Sequence, residues 1–333
     1  MKSERTSQIL IDKHNLWACN MKWLITGGAG YIGSHVVDEF MNHGEEVVVL
    51  DSLVLGKKDR IQSGIVLAVG DIGDSDFVSG LINKHRIKGV INLAALKSVD
   101  ESERFPEKYE KVNHQSVETL LQASVSNGVE VFLQSSTAAV YGNGNNGYAS
   151  EDDPLSPISP YGSTKFSAES VLNKSVMAGL IRGTSLRYFN VAGSQSKKLK
   201  DTSTANLIPK VLRAIADGVP PIIYGNDYPT PDGTCIRDYV HVQDVARAHL
   251  LAASALQKRQ IAPAINIGTG EGYSVIQMMN AILTEHNSRI VPCVEPRRQG
   301  DPAMLVAKIE LAKTEIGFTS EKTLEDMVST SYL

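Results

Sequence analysis

A tyrosine and a lysine stand four residues apart at Tyr161 and Lys165. Pro160 precedes them, and proline is favoured at the first position of a helix, so the sequence predicts a helix with both side chains on one face. A free tyrosine has a pKa of about 10 and is a poor base at neutral pH, whereas a nearby positive charge lowers that pKa. The pair is therefore a candidate for proton transfer. The same spacing also occurs on exposed amphipathic helices, so the pair alone decides nothing.

Hydroxyl side chains lie upstream, in the run Ser135-Ser136-Thr137 that follows the predicted strand Val131–Gln134. Thr137 can hydrogen-bond the same substrate oxygen as Tyr161 and align it for proton transfer. Serine and threonine runs also form plain turns. The hydroxyl cluster and the tyrosine–lysine pair together predict a catalytic site with Tyr161, Lys165 and Thr137 as its members.

A glycine-rich segment, residues 26–33 (TGGAGYIG), follows the first predicted strand and opens a helix. Glycines at 27, 30 and 33 permit a tight turn, close approach of the backbone to a pyrophosphate and close packing of helix on strand. The helix N-terminus offers unpaired N–H groups to the phosphates. The second predicted strand leads to Asp51, eighteen residues beyond Gly33, where a carboxylate can bind both hydroxyls of a ribose. Because a carboxylate there repels a 2′-phosphate, we expect NAD rather than NADP.

Two further segments complete the predicted dinucleotide site. Asp71-Ile72 follows the third predicted strand and is placed to bracket the adenine. Leu93-Ala94-Ala95 ends the fourth predicted strand with small residues, against which a cofactor can lie.

The elements that must position these residues alternate between strand-like and helix-like segments. Continuous apolar runs are typical of parallel strands covered on both faces. The predicted strands are Lys22–Thr26, Glu46–Leu50, Ile65–Val69, Gly89–Leu93, Val131–Gln134, Thr184–Tyr188 and Ala264–Ile267. The predicted crossover helices are Ile32–Asn42, Asp76–His85, Val112–Ser126 and Ser163–Ala178. This alternation predicts an α/β protein with a doubly wound parallel sheet, of the Rossmann type.

The alternation of strand-like and helix-like segments changes after about Val191, where shorter mixed segments begin. We expect an NAD-binding domain over residues 21–190, with returning segments near 235–270, and a smaller substrate-binding domain over 191–234 and 271–333. Residues 1–20 carry charges and only a short apolar patch, too short for the core of a signal peptide, so we interpret them as an extension.

Composition excludes several classes of protein. The formal net charge of −4 gives no reason to expect nucleic acid, whose binders carry clustered basic surface. Cys19, Cys235 and Cys293 have no spacing that indicates a disulfide framework or a zinc site, so no metal is expected. No apolar run reaches the roughly 18 residues of a membrane span. A cytoplasmic location is the default expectation.

From about Met21 to its C-terminus the chain resembles the extended short-chain dehydrogenase/reductase family. Several stretches are similar specifically to UDP-galactose 4-epimerases. They are TGGAGYIGSH (26–35), LAALKSVDES (93–102), SPYGSTK (159–165), RYFNVAG (187–193), YGNDYPTPDGTCIRDYVHVQD (224–244) and PRRQGDPA (296–303). The glycine loop and the tyrosine–lysine pair mark the wider family, whereas the last two segments point to nucleotide-sugar epimerases.

The resemblance implies a ligand site at matching positions. The implied cofactor-binding set is Gly27, Gly30, Tyr31, Ile32, Gly33, Asp51, Ser52, Asp71, Ile72, Leu93, Ala94, Ala95, Lys97, Asn113, Tyr161, Lys165 and Tyr188. The implied substrate-binding set is Lys97, Thr137, Tyr161, Asn190, Asn206, Leu207, Arg237, Arg298 and Asp301. Arg237 and Arg298 would bind the pyrophosphate, since guanidinium groups bind phosphate oxygens in a bidentate way. On its residues alone, Arg237 beside Asp238 is typical of a surface ion pair.

The implied reaction is reversible inversion at C4 of a UDP-hexose, converting UDP-galactose to UDP-glucose through a transient 4-keto sugar. Tyr161 would act as general base and then general acid, assisted by Thr137 and Lys165. The cofactor would be regenerated in each cycle and retained. A homodimer is also implied.

Other functions remain open at this point. Related dehydratases carry an acidic pair directly after the catalytic threonine, whereas Ala138 and Ala139 stand here and cannot transfer a proton. A catalytically inactive NAD-binding regulator is a further alternative. Leu305 lies at the family position that limits room at the sugar's 2-substituent; leucine is intermediate in size there, so UDP-N-acetylglucosamine and UDP-xylose remain possible substrates.

Overall fold

Strands and helices alternate through most of the chain, as a computed structural model shows for residues 21–144, 146–203, 205–298 and 300–332. The extension predicted for residues 1–20 lies outside the described residues. The strands are β1 (Lys22–Thr26), β2 (Glu46–Asp51), β3 (Val66–Val69), β4 (Gly89–Asn92), β5 (Val131–Thr137), β6 (Tyr148–Ala149), β7 (Arg182–Tyr188), β8 (Asn190–Ala192), β9 (Ile222–Tyr224), β10 (Ile236–Arg237), β11 (Tyr239–His241), β12 (Ala264–Ile267), β13 (Tyr273–Ser274), β14 (Cys293–Glu295) and β15 (Met304–Ala307).

The helices lie between the strands and, in the case of α10 and α11, after the last strand. They are α1 (Tyr31–Asn42), α2 (Ser75–His85), α3 (Val99–Arg104), α4 (Pro106–Glu110), α5 (Ser116–Ser126), α6 (Pro160–Met177), α7 (Leu207–Asp217), α8 (Val242–Lys258), α9 (Val275–Glu285), α10 (Glu310–Ile316) and α11 (Leu324–Ser329). A π-helical turn, Lys111–Gln115, joins α4 to α5.

A seven-stranded sheet carries the site, with the strand order β12-β7-β5-β4-β1-β2-β3. All of its pairings are parallel. The chain runs outward from β1 to β3 in one direction and then from β4 in the other, so the order reverses between β1 and β4. Ligands of open α/β sheets bind in the crevice beyond the strand ends at such a reversal.

Successive side chains of these strands enter two separate cores. On β1, Trp23 and Ile25 pack with helices α1 and α8, whereas Leu24 between them packs with α2, α5 and α6. Because both faces of the sheet are covered, its strands read as continuous apolar runs rather than alternating ones. The predicted doubly wound sheet follows from this arrangement.

The last third of the chain builds a further core beside the sheet. Helices α7, α9 and α11 pack together through residues such as Ile208, Met278 and Met327. A small sheet, β13-β10-β15-β6, brings the segments around Arg237 and Leu305 side by side. Meanwhile α8 packs on α1 and β12 joins the large sheet, so the segment near 235–270 contributes to both parts.

The described residues contain neither a membrane-spanning helix nor a cluster of metal ligands. None of their helices is both long and apolar enough to cross a membrane. Within the same residues, no group of three or more histidine, cysteine, aspartate or glutamate side chains is placed to hold a metal ion. Cys235 and Cys293 are free thiols, and Cys19 lies outside the described residues.

Candidate active site

The glycine-rich loop makes a turn that only glycine fits at two positions. Gly27 has φ +67°, and a Cβ there would lie 2.7 Å from the backbone nitrogen of Ala94. A Cβ on Gly33 would lie 2.1 Å from the carbonyl oxygen of Gly27. Helix α1 therefore packs directly against the loop, and its N-terminal N–H groups face the reversal point of the sheet. A backbone cradle of this kind fits a dinucleotide pyrophosphate.

Asp51 ends β2 beside this loop and is buried. Its Oδ2 accepts a hydrogen bond of 2.9 Å from the Ala29 amide, and its Oδ1 accepts one of 2.8 Å from the Leu53 amide. These bonds fix the carboxylate at the edge of the cradle, where the sequence predicts the adenosine ribose. Ser52 is exposed next to it.

Two predicted cofactor residues have structural partners of their own. Asn113 is buried in the π-helical turn, accepts from the Leu96 amide at 2.8 Å and donates to the Leu96 carbonyl at 2.9 Å. It thereby holds the loop after β4, which carries Leu93-Ala94-Ala95 and Lys97. Asp71 accepts from the Gly73 amide at 2.8 Å, and Ile72 is buried beside it.

Helix α6 places Tyr161 in its first turn. Ser159 caps the helix by accepting from the Gly162 amide, and Pro160 stands at the first helical position. The Tyr161 amide donates to Ser102 Oγ at 3.1 Å, which ties the start of α6 to α3. The beginning of the helix is thus fixed on both sides of the phenol.

Thr137, the last residue of β5, lies next to the side chain of Tyr161. Burial raises the pKa of Tyr161 above its ordinary value of 10.0, and hydrogen bonding by Thr137 opposes the increase. Lys165 does not contribute to this change in the pKa of Tyr161. The lower pKa that is expected from a nearby positive charge stays a prediction for the cofactor-bound enzyme. The structure brings the predicted tyrosine and threonine together.

Lys165 is buried one turn further along α6. Its Nζ donates to the carbonyl oxygen and to the Oγ of Ser135, both at 3.0 Å. Burial lowers the pKa of Lys165 to about 8, and the charge of Glu169 acts in the opposite direction. The carboxyl end of β5 therefore anchors both catalytic candidates of α6, through Ser135 and Thr137.

Tyr188 ends β7, next to Thr137 in the sheet register. Its hydroxyl lies 2.6 Å from Nε2 of His249, whose Nδ1 lies 2.8 Å from the Val245 carbonyl oxygen. A carbonyl only accepts, so Nδ1 carries the ring proton. Burial lowers the pKa of His249 to about 4, so the ring is neutral and its Nε2 accepts from Tyr188. The Tyr188 hydroxyl therefore donates its hydrogen bond to His249.

Arg237 and Asp301 meet at the predicted substrate end. Arg237 Nη2 lies 3.2 Å from Asp301 Oδ1. The interpretation of Arg237 and Asp238 as a surface ion pair is wrong, because Asp238 is fully buried and accepts from the amides of Thr269 and Gly270. Burial raises the pKa of Asp238 to about 6.

The remaining predicted substrate residues, and Leu305, lie on separate segments of the chain. Arg298 is exposed, with its guanidinium 4.0 Å from the ring centroid of Tyr224. Asn190 begins β8, whereas Asn206 and Leu207 open α7. Leu305 on β15 is buried in a cluster with Ala138, the neighbour of Thr137.

Several residues of the site escaped the sequence reasoning. Asn92 links the ends of three strands, accepting from Thr26 Oγ1 at 2.5 Å and donating to Gln134 Oε1 at 2.9 Å. His249 and the lysine anchor Ser135 were also missed. Polar residues at the ends of otherwise apolar strands were the available signal for Asn92 and Gln134, whereas nothing local in the sequence indicates that His249 meets Tyr188.

Comparison with known proteins supplies the family. A model of the NAD dependent epimerase/dehydratase family matches residues 23–268. The chain belongs to this family. UDP-glucose 4-epimerase from Lacticaseibacillus casei is 38% identical over 298 residues, which are 88% of this chain and 90% of that protein.

Solved structures of family members share the fold. UDP-glucose-4-epimerase from Stenotrophomonas maltophila, with bound NAD and formylated UDP-arabinopyranose, superposes with a TM-score of 0.89 at 36% identity, covering 93% of this chain and 96% of that one. The UDP-Glc/GlcNAc 4-epimerase from Campylobacter jejuni gives 0.83 at 34% identity, over 93% and 98% of the chains. The predicted resemblance, the doubly wound α/β fold and the dependence on NAD are confirmed.

Proposed function

We propose that this family member is an NAD-dependent 4-epimerase that interconverts UDP-galactose and UDP-glucose. The main supporting observation is that Thr137 ends β5 beside Tyr161, while Lys165 Nζ donates to Ser135 of the same strand. The phenol, the hydroxyl and the ammonium would then act at the end of β5, which is the neighbour of β4 at the reversal of the sheet order. The relatives named above catalyse this kind of reaction according to their names.

The chain's own residues manage the proton and the geometry. NAD, when bound, supplies reversible acceptance of the hydride from C4 of the sugar. Thr137 aligns the 4-hydroxyl, and Tyr161 takes its proton and later returns one. Lys165 supplies positive charge that favours the phenolate. C4 would be inverted when hydride adds to the opposite face of the keto carbon and Tyr161 returns a proton to the oxygen.

The same geometry disfavours a dehydratase. Water elimination needs an acid and a base at the sugar, and Ala138 and Ala139 follow Thr137 where related dehydratases carry them. An alanine side chain cannot transfer a proton. We therefore propose epimerisation without a competing elimination.

Substrate binding is proposed for residues 191–234 and 271–333, with NAD binding by residues 21–190 and the returning segment near 235–270. Arg237 and Arg298 would bind the diphosphate. The ion-pair partner of Arg237, Asp301, is itself a predicted ligand residue. Firm binding of the nucleotide, with few contacts to the hexose, would let the 4-keto sugar turn over before reduction.

UDP-N-acetylglucosamine is the second candidate substrate, because Leu305 rather than a bulky aromatic residue packs beside Ala138. The Campylobacter jejuni neighbour is described as acting on both Glc and GlcNAc forms.

A homodimer in the cytoplasm is proposed as well. Three apolar side chains are exposed in this region: Val99 on α3, Phe105 between α3 and α4, and Phe166 on α6. Because α3 and α4 both pack on α6, these side chains offer an apolar surface to a second copy of the chain.

Incubation of the purified protein with UDP-galactose, and separately with UDP-N-acetylgalactosamine, tests the proposal. No NAD is added, and proton NMR follows the anomeric signals. Appearance of UDP-glucose in the first tube is expected and also shows that NAD is retained. Conversion in the second tube would show that Leu305 leaves space for the acetamido group. If both tubes stay unchanged even after NAD is added, the proposed function is wrong.

A further inference from the structure

Asp201 lies between a predicted cofactor residue and a predicted substrate residue. Its Oδ1 is 3.6 Å from Nζ of Lys97, on the loop after β4. Its Oδ2 accepts a hydrogen bond of 2.6 Å from Nδ2 of Asn206, at the start of α7. The Asp201 side chain is only 11% exposed, so little water competes for its carboxylate. One carboxylate thus contacts both predicted sites.

The position of this carboxylate is fixed by its own chain segment. The Ser203 amide donates to Asp201 Oδ1 at 2.9 Å. Arg60, buried in the loop after β2, donates from Nη2 to the Lys200 carbonyl oxygen at 2.7 Å. The position of Asp201 is therefore fixed by the hydrogen bond to the preceding residue, Lys200, as well as by the hydrogen bond to its own carboxylate.

The start of the same segment is attached to helix α1. The Tyr31 hydroxyl donates to the Gly193 carbonyl oxygen at 2.5 Å, and the Gln195 amide donates to Nε2 of His35 at 3.0 Å. Residues 193–201 consequently run from α1, whose N-terminus faces the phosphates, to Asp201.

The contacts of Asp201 also orient its two partners. A carboxylate only accepts hydrogen bonds, so the Asn206 amide must present its NH₂ to Asp201 and its Oδ1 elsewhere. The Lys97 ammonium is 5.8 Å from the Tyr31 ring centroid as well as close to Asp201, so it stays beside the first residue of α1. Lys97 is 43% exposed, and without these two contacts its long side chain would be free to turn into solvent.

We propose that Asp201 is a positioning residue that holds Lys97 toward the cofactor and Asn206 toward the UDP-sugar at the same time. The inference rests on the proposed function. It assigns Asp201 no contact with either ligand. Its consequence is that the two sites share one support, so removal of this carboxylate weakens the binding of both ligands.

Four substitutions separate this role from its neighbours. Lys97→Gln should release NAD, and Asn206→Ala should raise KM with NAD content unchanged. Asp201→Ala removes the charge beside Lys97 and the oxygen that accepts from Asn206, so it should release NAD and raise KM, each by about tenfold, the effect expected for losing a hydrogen bond to a charged group. Asp217→Ala is the matched control, because that carboxylate is 60% exposed on α7 and lies 3.8 Å from Arg213 of the same helix.

Two readouts are needed. The NAD content of each variant is measured after gel filtration, and KM and kcat for UDP-galactose are measured with saturating NAD. The proposal is overturned if Asp201→Ala behaves like Asp217→Ala, if it moves only one readout, or if thermal melting shows that both losses follow from unfolding at the assay temperature. If the unsubstituted protein lacks epimerase activity, the proposed function fails, while the NAD content still tests the support of Lys97.

Discussion

Gly33→Ala should damage the glycine loop through steric overlap alone. The new Cβ would lie 2.1 Å from the Gly27 carbonyl oxygen and 2.8 Å from the Gly28 Cα, whereas non-bonded carbon contacts are about 3.5 Å or more. Helix α1 and the loop must therefore separate by more than about 1 Å. Both are backbone in a buried region, so no flexible side chain can absorb the shift. Overpacking of this kind costs about 1–3 kcal/mol.

Thermal unfolding and NAD content measure the effect. For a chain of this size, a loss of 1–3 kcal/mol lowers Tm by roughly 1–4 °C. The loop shift should also remove most retained NAD. The matched control is Gly80→Ala on α2, where a Cβ has no heavy atom within 4 Å, so alanine should stabilise the helix by up to about 1 kcal/mol. If Gly33→Ala retains its NAD and has the same Tm as Gly80→Ala, the close-packing argument is refuted.

Other substitutions test the catalytic and substrate residues. Tyr161→Phe should lower kcat by about 10²–10⁴-fold while NAD content is unchanged, and Thr137→Ser should retain far more activity than Thr137→Val, as steady-state assays can show; a biological role that survives Tyr161→Phe would instead favour a regulator. Leu305→Tyr should abolish conversion of UDP-N-acetylgalactosamine before that of UDP-galactose, and equal loss of both would contradict the assigned position. Burial lowers the pKa of His249 from 6.5 to about 4, so the unfolded chain binds a proton between these pH values that the folded chain does not. The free energy of unfolding should fall as the pH falls from 6.5 toward 4, and urea titrations of His249→Gln should show a smaller fall.

The sheet was largely predictable because its strands are buried on both faces. The predicted Lys22–Thr26 and Ala264–Ile267 coincide with β1 and β12. The predicted strand Val131–Gln134 stops short of β5, which continues to Thr137. The sequence changes there from apolar to hydroxyl residues, which resembles a turn, whereas in the structure pairing with β7 continues through those residues.

Contacts between distant elements set the limit of the sequence reasoning. Tyr161 and Thr137 were found because each belongs to a local motif. Asp201 was missed, since its link to Lys97 depends on how residues 193–201 cross α1. Burial of Asp238 was missed for the same reason, because its partners Thr269 and Gly270 lie beyond α8. Spacing along the chain carries no information about such contacts.

The central claim is that one hydride leaves C4 and returns to the opposite face within the same active site. UDP-galactose deuterated at C4 tests it directly, with the product analysed by NMR and mass spectrometry. The account predicts UDP-glucose that retains the deuterium at C4, formed without added NAD and in ordinary water. UDP-glucose that has lost the deuterium to solvent would contradict the account, because inversion would then proceed by exchange of a C4 proton.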